Sequence, residues 1–302
     1  MRKDAQALDQ YYTRPGVAQD CLRDLAGVLW AHGRRPAGSG VQLFIEPSAG
    51  GGSFLDGLPS ETWWGGDRDP RHPNVVAHDF LADALPASVK AIARDRRVMV
   101  GNPPFGKKGD TAVAFINQGL EWAPLVGFVL PLQFRKWSAQ SRITPGAHLV
   151  LDRALPEDAF TFLGKPYQLR CCFQVWAEPG LDLEPLYPNL RLQQAPPNTH
   201  PDFEAWQYNR TPIAEKYFDM DWDFAVLRQG FGDFSRLFWR RDNPVLDRKQ
   251  QWAFLKAKNP QVLDRLARLD FVALSQRNTG TPGFGKADLV EAYLDAVERE
   301  TR

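Results

Sequence analysis

The feature that most constrains this chain is a short apolar run that stops at two consecutive prolines. The run from Arg97 to Val100 is rich in β-branched residues, which predicts a buried strand. It is followed by the tetrad Asn102-Pro103-Pro104-Phe105. Each proline fixes φ, lacks an N–H and biases the residue before it away from the helical region. We therefore expect a stiff, extended turn at the carboxyl end of a strand, the edge at which open α/β sheets bind ligands.

The groups in this tetrad suit chemistry on a flat amine. The exocyclic amino group of a nucleobase is a poor nucleophile because its lone pair is delocalised into the ring. Two acceptors on its hydrogens, the Asn102 side-chain oxygen and the Pro103 carbonyl, would draw the nitrogen toward a tetrahedral shape. Phe105 could stack on the base, a contact worth about 1–3 kcal/mol. The alternative is a purely structural turn with Phe105 in the core.

Size, charge and cysteine content narrow the class of protein. The 302 residues suffice for one large domain or two smaller ones, and the net charge of +1 limits any nucleic-acid surface to a local patch. The segment from Met1 to Gln10 is polar, and no apolar run is long enough to span a membrane. Cys21, Cys171, Cys172 and the histidines show no metal-ligand spacing. We expect a cytoplasmic, metal-free protein with reduced cysteines, in which the adjacent Cys171 and Cys172 point to opposite faces of a strand.

A glycine-rich loop forms the second motif. The apolar run from Val41 to Ile45 predicts a strand that leads directly into Glu46-Pro47-Ser48-Ala49-Gly50-Gly51-Gly52. A strand followed by an acidic residue and glycines is typical of Rossmann-like nucleotide sites, in which glycines allow a tight turn and close backbone approach. A carboxylate at Glu46 would repel a pyrophosphate but suits an ammonium or sulfonium group.

Carboxylates follow the next two predicted strands. The strand from Thr62 to Gly65 leads to Asp67, which is placed to bind ribose hydroxyls, with Asp69 as the second choice. A short strand over Val75 to Ala77 precedes Asp79, which could accept a hydrogen bond from an adenine amino group. The alternative is that these residues form polar turns and a helix cap.

The segment Tyr12-Thr13-Arg14-Pro15 precedes a predicted helix. We expect Thr13 to cap that helix and Pro15 to lie in its first turn. A functional interpretation of the same segment is that its tyrosine and threonine cover a bound cofactor.

Taken in order, these segments resemble the S-adenosylmethionine-dependent amino-methyltransferases, in particular the DNA N6-adenine type with the gamma order of motifs. The resemblance covers roughly residues 9 to 180 and implies an α/β, Rossmann-like methyltransferase domain with a mixed, mostly parallel sheet and a smaller C-terminal recognition region. It implies contacts of Glu46 and Gly50 with the methionine moiety of S-adenosylmethionine, of Asp67 with the ribose, and of Asp79 and Phe80 with the adenine. The catalytic residues that it implies are Asn102, Pro103, Pro104 and Phe105. The full cofactor-binding set is Tyr12, Thr13, Pro15, Glu46, Pro47, Ser48, Ala49, Gly50, Gly52, Asp67, Arg68, Asp79 and Phe80. Arg68 departs from the apolar residue that is usual at its position in this family.

The substrate side of the site is predicted from loops that follow the tetrad. Lys107 and Lys108 lie in a basic loop that could close over the substrate backbone. The family places a second aromatic residue against the other face of the target base, and the candidates are Phe160, Phe162 and Tyr167.

The composition changes toward the C-terminus. We predict a catalytic domain over residues 1–185, a linker over residues 186–202 and a DNA target-recognition region over residues 203–302. Basic and aromatic residues alternate from Arg228 to Lys258, and a glycine-rich loop runs from Leu274 to Gly285. Arginine and amide side chains read base edges, which makes Arg228, Arg236, Arg240, Arg277 and Asn278 the candidate contacts. The alternative is a solvated face.

These observations predict methyl transfer from S-adenosylmethionine to N6 of adenine in double-stranded DNA after base flipping. We expect a monomer or homodimer without an attached nuclease. The alternatives are methylation of adenine in RNA or of N4 of cytosine in DNA, methylation of a protein glutamine, and nucleic-acid binding without catalysis.

Overall fold

The computed structural model describes residues 11–31, 40–162, 164–181, 183 and 186–301. The chain forms two compact units, and the boundary between them falls after Gln193. Clusters of buried apolar side chains lie within each unit, so each has a hydrophobic core of its own.

Short strands and helices make up the first unit. Its strands are β1 (Tyr12–Thr13), β2 (Leu43–Glu46), β3 (Trp63–Asp67), β4 (Val76–Ala77), β5 (Arg97–Gly101), β6 (Leu125–Pro131), β7 (His148–Ala154), β8 (Phe160–Phe162), β9 (Lys165–Tyr167) and β10 (Cys171–Ala177). Its helices are α1 (Pro15–Ala31), α2 (Ala87–Lys90), α3 (Asp110–Trp122) and α4 (Trp137–Gln140). Single 3₁₀ turns span Leu55–Gly57, Ser60–Thr62, Arg94–Arg96, Lys107–Gly109 and Leu132–Arg135.

The main sheet of this unit has the strand order β4-β3-β2-β5-β6-β10-β7. The strands from β4 to β6 in this order pair in parallel, and β10 is antiparallel to both of its neighbours. The predicted α/β class with a mixed, mostly parallel sheet of the Rossmann-like kind is confirmed. The strand order reverses between β2 and β5, and this reversal leaves a crevice at their carboxyl ends.

Helices cover both faces of this sheet. Val98 and Val100 pack in one buried cluster with the apolar face of α1, while Met99 packs in the other cluster with α3. Cys171 and Cys172 are likewise divided between the two clusters, as predicted from the alternation of side chains along a strand. The strand β5 is therefore buried on both faces, which explains its unbroken apolar sequence.

Two local predictions are wrong in detail. Thr13 does not cap α1, because it lies in β1 and its Oγ1 has no hydrogen-bond partner among the described residues. The carbonyl of Arg14 instead accepts the amide hydrogens of Val17 and Ala18. Asp67 is the last residue of β3 and does not follow that strand. The sequence from Gly33 to Gly40 predicts a loop, and this segment falls almost entirely outside the described residues.

A second, three-stranded sheet has the order β1-β8-β9. Tyr12 pairs with Thr161, and Thr13 pairs with Phe160. This pairing fixes the N-terminal segment against residues about 150 positions later in the chain, so the backbone of Tyr11 to Thr13 is held in place next to the crevice residues that it contacts.

The first part of the predicted linker packs onto the first unit. The Arg191 guanidinium donates hydrogen bonds to the backbone carbonyls of Gln140, Ile143, Thr144 and Ala147, at distances from 2.8 to 3.0 Å. Four carbonyl acceptors hold this guanidinium in one orientation. Residues up to Gln193 therefore belong to the compact first unit.

The second unit contains an antiparallel sheet and three helices described below. Its strands are β11 (Phe203–Tyr208), β12 (Phe224–Gln229), β13 (Leu237–Trp239) and β14 (Gln251–Ala257), in the order β11-β14-β12-β13. Its helices are α5 (Pro260–Ala267), α6 (Phe271–Ser275) and α7 (Lys286–Thr301), with 3₁₀ turns over Pro212–Phe218 and Arg240–Asp242. The pair Asn259-Pro260 predicts the start of a helix that reaches about Asp270. Asn259 does cap α5, by accepting from the Val262 amide at 2.9 Å. The helix ends at Ala267, earlier than predicted, and Asp270 caps the separate helix α6.

None of the helices within the described ranges is long and apolar enough to cross a membrane. Those ranges also contain no cluster of three or more histidine, cysteine, aspartate or glutamate side chains able to hold a metal ion.

Candidate functional site

A cavity of about 250 Å³ lies at the carboxyl ends of β2, β3 and β5. Three polar residues of its wall come from strand ends that are neighbours in the sheet: Glu46 ends β2, Asp67 ends β3, and Asn102 follows β5. The complete wall is formed by Tyr11, Tyr12, Thr13, Glu46, Pro47, Ser48, Ala49, Gly50, Ser53, Phe54, Asp67, Arg68, Asp69, Asp79, Phe80, Leu81, Asn102, Pro104, Gly106, Thr111 and Phe115. The wall thus includes residues of the glycine loop, of both carboxylate turns and of the tetrad.

The glycine loop requires glycine at two positions. Gly50 has φ of +48° and Gly52 has φ of +85°, a region that favours glycine. A Cβ at position 50 would lie 3.0 Å from the Tyr12 ring, and one at position 52 would lie 2.7 Å from the His72 ring. The Asp67 carboxylate fastens the loop, because its Oδ2 accepts from the Gly50 amide at 2.7 Å. The loop backbone can therefore approach a ligand closely without movement.

The tetrad is oriented by two hydrogen bonds. The Nδ2 of Asn102 donates to the Tyr11 carbonyl at 2.8 Å. The Ser48 hydroxyl donates to the Asn102 carbonyl at 3.1 Å and so links the tetrad to the glycine loop. Because Nδ2 is held by a carbonyl, the amide of Asn102 has one orientation and its Oδ1 is left as an acceptor.

Three buried oxygen atoms of the cavity wall have no hydrogen-bond partner within the part of the chain that the structure describes. They are Thr13 Oγ1, Glu46 Oε2 and Asn102 Oδ1. A buried polar atom without a partner costs about 1–3 kcal/mol, so such atoms are rare unless a ligand or water satisfies them. Their convergence on one cavity indicates a ligand that carries hydrogen-bond donors.

The most deeply buried of these groups is the Glu46 carboxyl, which is 2 % exposed. Its burial, with a smaller contribution from the neighbouring Asp67 carboxylate, raises the pKa of Glu46 well above its usual range. A positively charged group in the cavity would stabilise the ionised form and would therefore be bound with loss of a proton.

Two arginines contact residues of the cavity wall. Arg68 forms an ion pair with Asp79 at 3.4 Å, and its side chain remains 69 % exposed. The guanidinium of Arg71 lies over the Tyr12 ring at 5.7 Å from the ring centre. Arg68, which replaces the apolar residue usual in the family that the sequence resembles, thus contacts the predicted adenine-binding carboxylate.

The apolar end of the cavity is built from aromatic rings. Phe80 is 1 % exposed and packs against Phe115 and Trp122, with ring centres 4.9 and 4.7 Å apart. Gln118 donates to the Phe80 carbonyl at 2.5 Å and fixes this turn onto α3. These contacts make a rigid apolar wall suited to a flat ring.

The three candidates for the second aromatic face have different surroundings. Phe160 is fully buried in the core, so it is not available to a base, and we withdraw it as a candidate. Phe162 and Tyr167 form a cluster with Tyr11, with ring centres 5.0 to 5.8 Å apart. Tyr11 is the residue whose carbonyl orients Asn102, so this aromatic cluster is connected directly to the tetrad.

Several predicted residues lie outside the cavity wall. Phe105 is half-buried and packs against the core cluster of α1, contrary to the expectation of a ring that faces the crevice. Pro15 begins α1, Gly52 shapes its loop, and Pro103 is buried. Lys107 and Lys108 are exposed, and Lys108 has φ of +54°.

The wall also contains Asp69, the second choice for the ribose hydroxyls, and residues that the sequence did not single out as site residues: Tyr11, Ser53, Phe54, Leu81, Gly106, Thr111 and Phe115. Thr111 and Phe115 are four residues apart on the helix that follows the tetrad. This spacing places both on one helix face and could have identified them.

In the second unit, one of the arginines predicted to contact DNA is paired with a carboxylate, and the other three contact aromatic rings or an amide. Arg277 forms an ion pair with Glu291, so its charge is already compensated. Arg236 and Arg240 lie over the rings of Phe238 and Trp222, at 4.5 and 5.2 Å from the ring centres. Arg228 donates from Nη1 to Gln251 Oε1 at 2.7 Å. Asn278 lies in the loop between α6 and α7.

No protein-family model and no curated protein matches the sequence. Among solved structures, similarity is found to a protein of Listeria monocytogenes assigned to the class I S-adenosylmethionine-dependent methyltransferases, with a TM-score of 0.39 and 15 % identity over 58 % of this chain and 63 % of that one. The type I restriction-modification methyltransferase subunit of Streptococcus thermophilus gives 0.39 and 14 % over 56 % of this chain and 45 % of that one. The EcoKI M protein gives 0.36 and 10 % over 95 % of this chain and 70 % of that one. The chain therefore spans less than two thirds of the Listeria and Streptococcus proteins.

Proposed function

We propose that this chain transfers a methyl group from S-adenosylmethionine to the exocyclic N6 of adenine in double-stranded DNA, after the base is flipped out of the helix. The observation that carries the proposal is the convergence of the three partnerless oxygens of Thr13, Glu46 and Asn102 on one cavity. An acceptor-lined cavity matches a cofactor with an ammonium group and hydroxyls, next to a substrate amine.

The residues present fit S-adenosylmethionine. Glu46 would accept the ammonium group of its methionine part, and the Asp67 carboxylate would accept from the ribose hydroxyls. Gly50 leaves the space in which a side chain would meet the Tyr12 ring. Asp79 and the Phe80 wall would hold the adenine. When bound, this cofactor supplies an electrophilic methyl group.

Asn102 would bind the target amine of the substrate. Its Nδ2 is held by the Tyr11 carbonyl, so Oδ1 is pre-set to accept a hydrogen of the target amine. An acceptor on that hydrogen, together with the Pro103 carbonyl, localises the nitrogen lone pair for attack on the methyl carbon. An amine that took up the methyl group supplied by the cofactor would lose one proton to solvent. Catalysis on this account comes from positioning and electrostatics.

One face of the flipped adenine would stack on the aromatic cluster of Tyr11, Phe162 and Tyr167. Tyr167 is 37 % exposed, so part of its ring is accessible to a base. The exposed Lys107 and Lys108 follow the tetrad and would contact the backbone of the target strand.

The recognition of DNA is assigned to residues 203–302, because Arg228 and Arg240 each have a buried guanidinium nitrogen without a hydrogen-bond partner among the described residues. In this proposal Arg228, Arg236 and Arg240 contact phosphates or base edges, with Asn278 in the adjacent loop. Arg277 is a weaker candidate than the others, since Glu291 already neutralises it.

The test is a methyl-transfer assay with isotopically labelled S-adenosylmethionine, double-stranded DNA and RNA of mixed sequence, followed by digestion to nucleosides and mass spectrometry. We expect label in N6-methyldeoxyadenosine. Label only in RNA, or only in N4-methyldeoxycytidine, would replace the proposed substrate by one of the two alternatives. Tight cofactor binding without any transfer would indicate a nucleic-acid-binding protein that has lost catalysis.

A further inference from the structure

The turn between β12 and β13 presents an aromatic ring to solvent. Phe231 is 86 % exposed and stands between Gly230 and Gly232. Single exposed apolar side chains are common on protein surfaces. What distinguishes Phe231 is the way in which the flanking backbone is anchored and the charge of the residues around it.

The loop that carries Phe231 is fixed on both sides of the ring. The Gly230 amide donates to the Pro282 carbonyl at 3.0 Å. Gly232 lies so close to Leu227 that a Cβ at position 232 would be 2.9 Å from its side chain. Phe234 is buried in the core of the second unit at 4 % exposure. The ring is therefore presented on an anchored loop.

Guanidinium groups without carboxylate partners lie on both sides of this ring in the sequence. The stretch from Arg228 to Arg241 contains four arginines and one aspartate. Among the described residues, neither Arg228 nor Arg236 has a carboxylate oxygen within 4.0 Å, whereas Arg277 and Arg265 do. Among the described residues, Arg228 Nε is buried without a hydrogen-bond partner. Nη1 of the same guanidinium donates to the uncharged side-chain amide of Gln251. Burial lowers the pKa of Arg228, as expected for a cation without a counter-charge.

We propose that Phe231 is a wedge that inserts into the base stack of duplex DNA, with Arg228 and Arg236 on the phosphates beside the insertion. This inference rests on the proposed function for the choice of DNA as partner. Proteins that deform DNA commonly insert an apolar side chain between base steps and hold the flanking backbone with arginines. The buried charge of Arg228 and the excess of four arginines over one aspartate in this stretch favour a polyanion over an apolar protein surface, because a protein partner would have to supply carboxylates to them.

The experiment compares binding of the full chain to two 24-base-pair duplexes of the same sequence, one intact and one with a central abasic site. An abasic site removes much of the cost of unstacking, so the wild type should bind that duplex several-fold more tightly. Phe231→Ala should bind the intact duplex about 5- to 100-fold more weakly, since it loses one stacking contact, and should lose the preference for the abasic duplex. Phe231→Trp should retain both.

Val245→Ala is the matched control, because Val245 is 96 % exposed in the same unit and lies outside the proposed wedge. It should behave as wild type. The dependence of affinity on salt gives a second readout. Phe231→Ala should leave the slope of log K against log salt unchanged, whereas Arg236→Ala should reduce it by about one.

The proposal is overturned if Phe231→Ala keeps the wild-type affinity and the preference for the abasic duplex, or if the wild type binds neither duplex. It is also overturned if Phe231→Ala converts a dimer to a monomer in sedimentation, because the ring would then belong to an interface between copies. Absence of methyl transfer with the wedge behaviour intact would contradict the proposed function and leave the DNA wedge standing.

Discussion

The cavity of the first unit and the loops of the second unit differ in the kind of polar atom that they leave unsatisfied. In the described residues, the buried partnerless atoms of the cavity wall are oxygens, on Thr13, Glu46 and Asn102. In the second unit they include nitrogen donors, on Gln207, Arg228 and Arg240. The first set matches a ligand rich in donors and positive charge, and the second matches one rich in acceptors and negative charge.

This difference indicates that the two units bind ligands of opposite charge, which the net charge of the whole chain does not show. The chain as a whole carries a charge of +1, which by itself suggests no polyanionic partner. A cationic cofactor and a polyanionic substrate are best bound by separate surfaces of opposite character, because each would repel the other's ligand. The comparison therefore predicts that changes in the second unit weaken DNA binding and spare the cofactor.

The largest expected effect comes from Asn102→Ala, which removes the acceptor for the target amine. We expect kcat to fall by at least about 100-fold, by analogy with loss of one transition-state hydrogen bond. The Kd for S-adenosylmethionine should change by less than about threefold. Single-turnover methyl transfer and calorimetry measure the two quantities.

Asn102→Asp is the informative companion variant. It keeps an oxygen but loses the donor to the Tyr11 carbonyl, so the side chain is no longer oriented. Activity between that of wild type and that of Asn102→Ala is expected. Full activity in Asn102→Ala would remove Asn102 from the mechanism.

A large effect on DNA alone should follow from removal of the second unit. A chain that ends at Gln193 retains the whole cavity, and we expect it to bind S-adenosylmethionine within about threefold of the full chain. Its affinity for duplex DNA should fall by at least tenfold, with a flatter dependence on salt, because the arginines that release counterions are gone. Equal DNA affinity in the two chains would contradict the division between the units. Circular dichroism and thermal melting check that the shorter chain is folded.

Two aromatic substitutions should separate a substrate contact from a structural one. Tyr167→Ala should weaken binding of the flipped base by about 1–3 kcal/mol, seen as a higher KM for DNA, with little change in Tm. Phe105→Ala should lower stability by about 1–3 kcal/mol, since truncation of a fully buried phenylalanine costs about 3–5 kcal/mol and Phe105 is half-buried. Melting curves and KM values for the two variants test this. If Phe105→Ala raised the KM for DNA and Tyr167→Ala lowered the Tm, Phe105 and not Tyr167 would be the residue that stacks on the base.

Strand ends were the part of this molecule that the sequence predicted best. The residues of the cavity were recognisable from Glu46, Asp67, Asp79 and Asn102, because each follows or ends an apolar β-rich run and parallel strands present their carboxyl ends at one edge. The sheet class followed from the same pattern. These are local signals, and local patterns are what a single sequence displays.

Contacts between distant segments could not be predicted in this way. Nothing in the local pattern indicates that the Asn102 side chain donates to the Tyr11 carbonyl, or that Phe160 is buried while Tyr167 is exposed. The direction of Phe105 was predicted wrongly because two prolines constrain the backbone but do not determine which way the next ring turns. The partners of Arg277 and Arg191 are likewise set by tertiary packing.

The central claim is that the cavity is built for a cationic cofactor, and proton release on binding tests it most directly. Because its pKa is raised, the Glu46 carboxyl holds its proton to a higher pH than an ordinary glutamate does, and an ammonium group would favour the carboxylate. Affinity for S-adenosylmethionine should therefore increase as pH rises toward the raised pKa, up to the point near pH 8 at which α-amino groups lose their own proton.

The measurement is calorimetric titration of the full chain with S-adenosylmethionine in two buffers that differ in ionisation enthalpy, at pH 6 to 7. We predict release of up to one proton on binding to the wild type and none on binding to Glu46→Gln, with weaker binding in that variant. Asp69→Asn, which removes a partly exposed carboxylate of the same wall, should release protons as the wild type does. No binding of S-adenosylmethionine, or equal affinity and proton release in wild type and Glu46→Gln, would contradict the account.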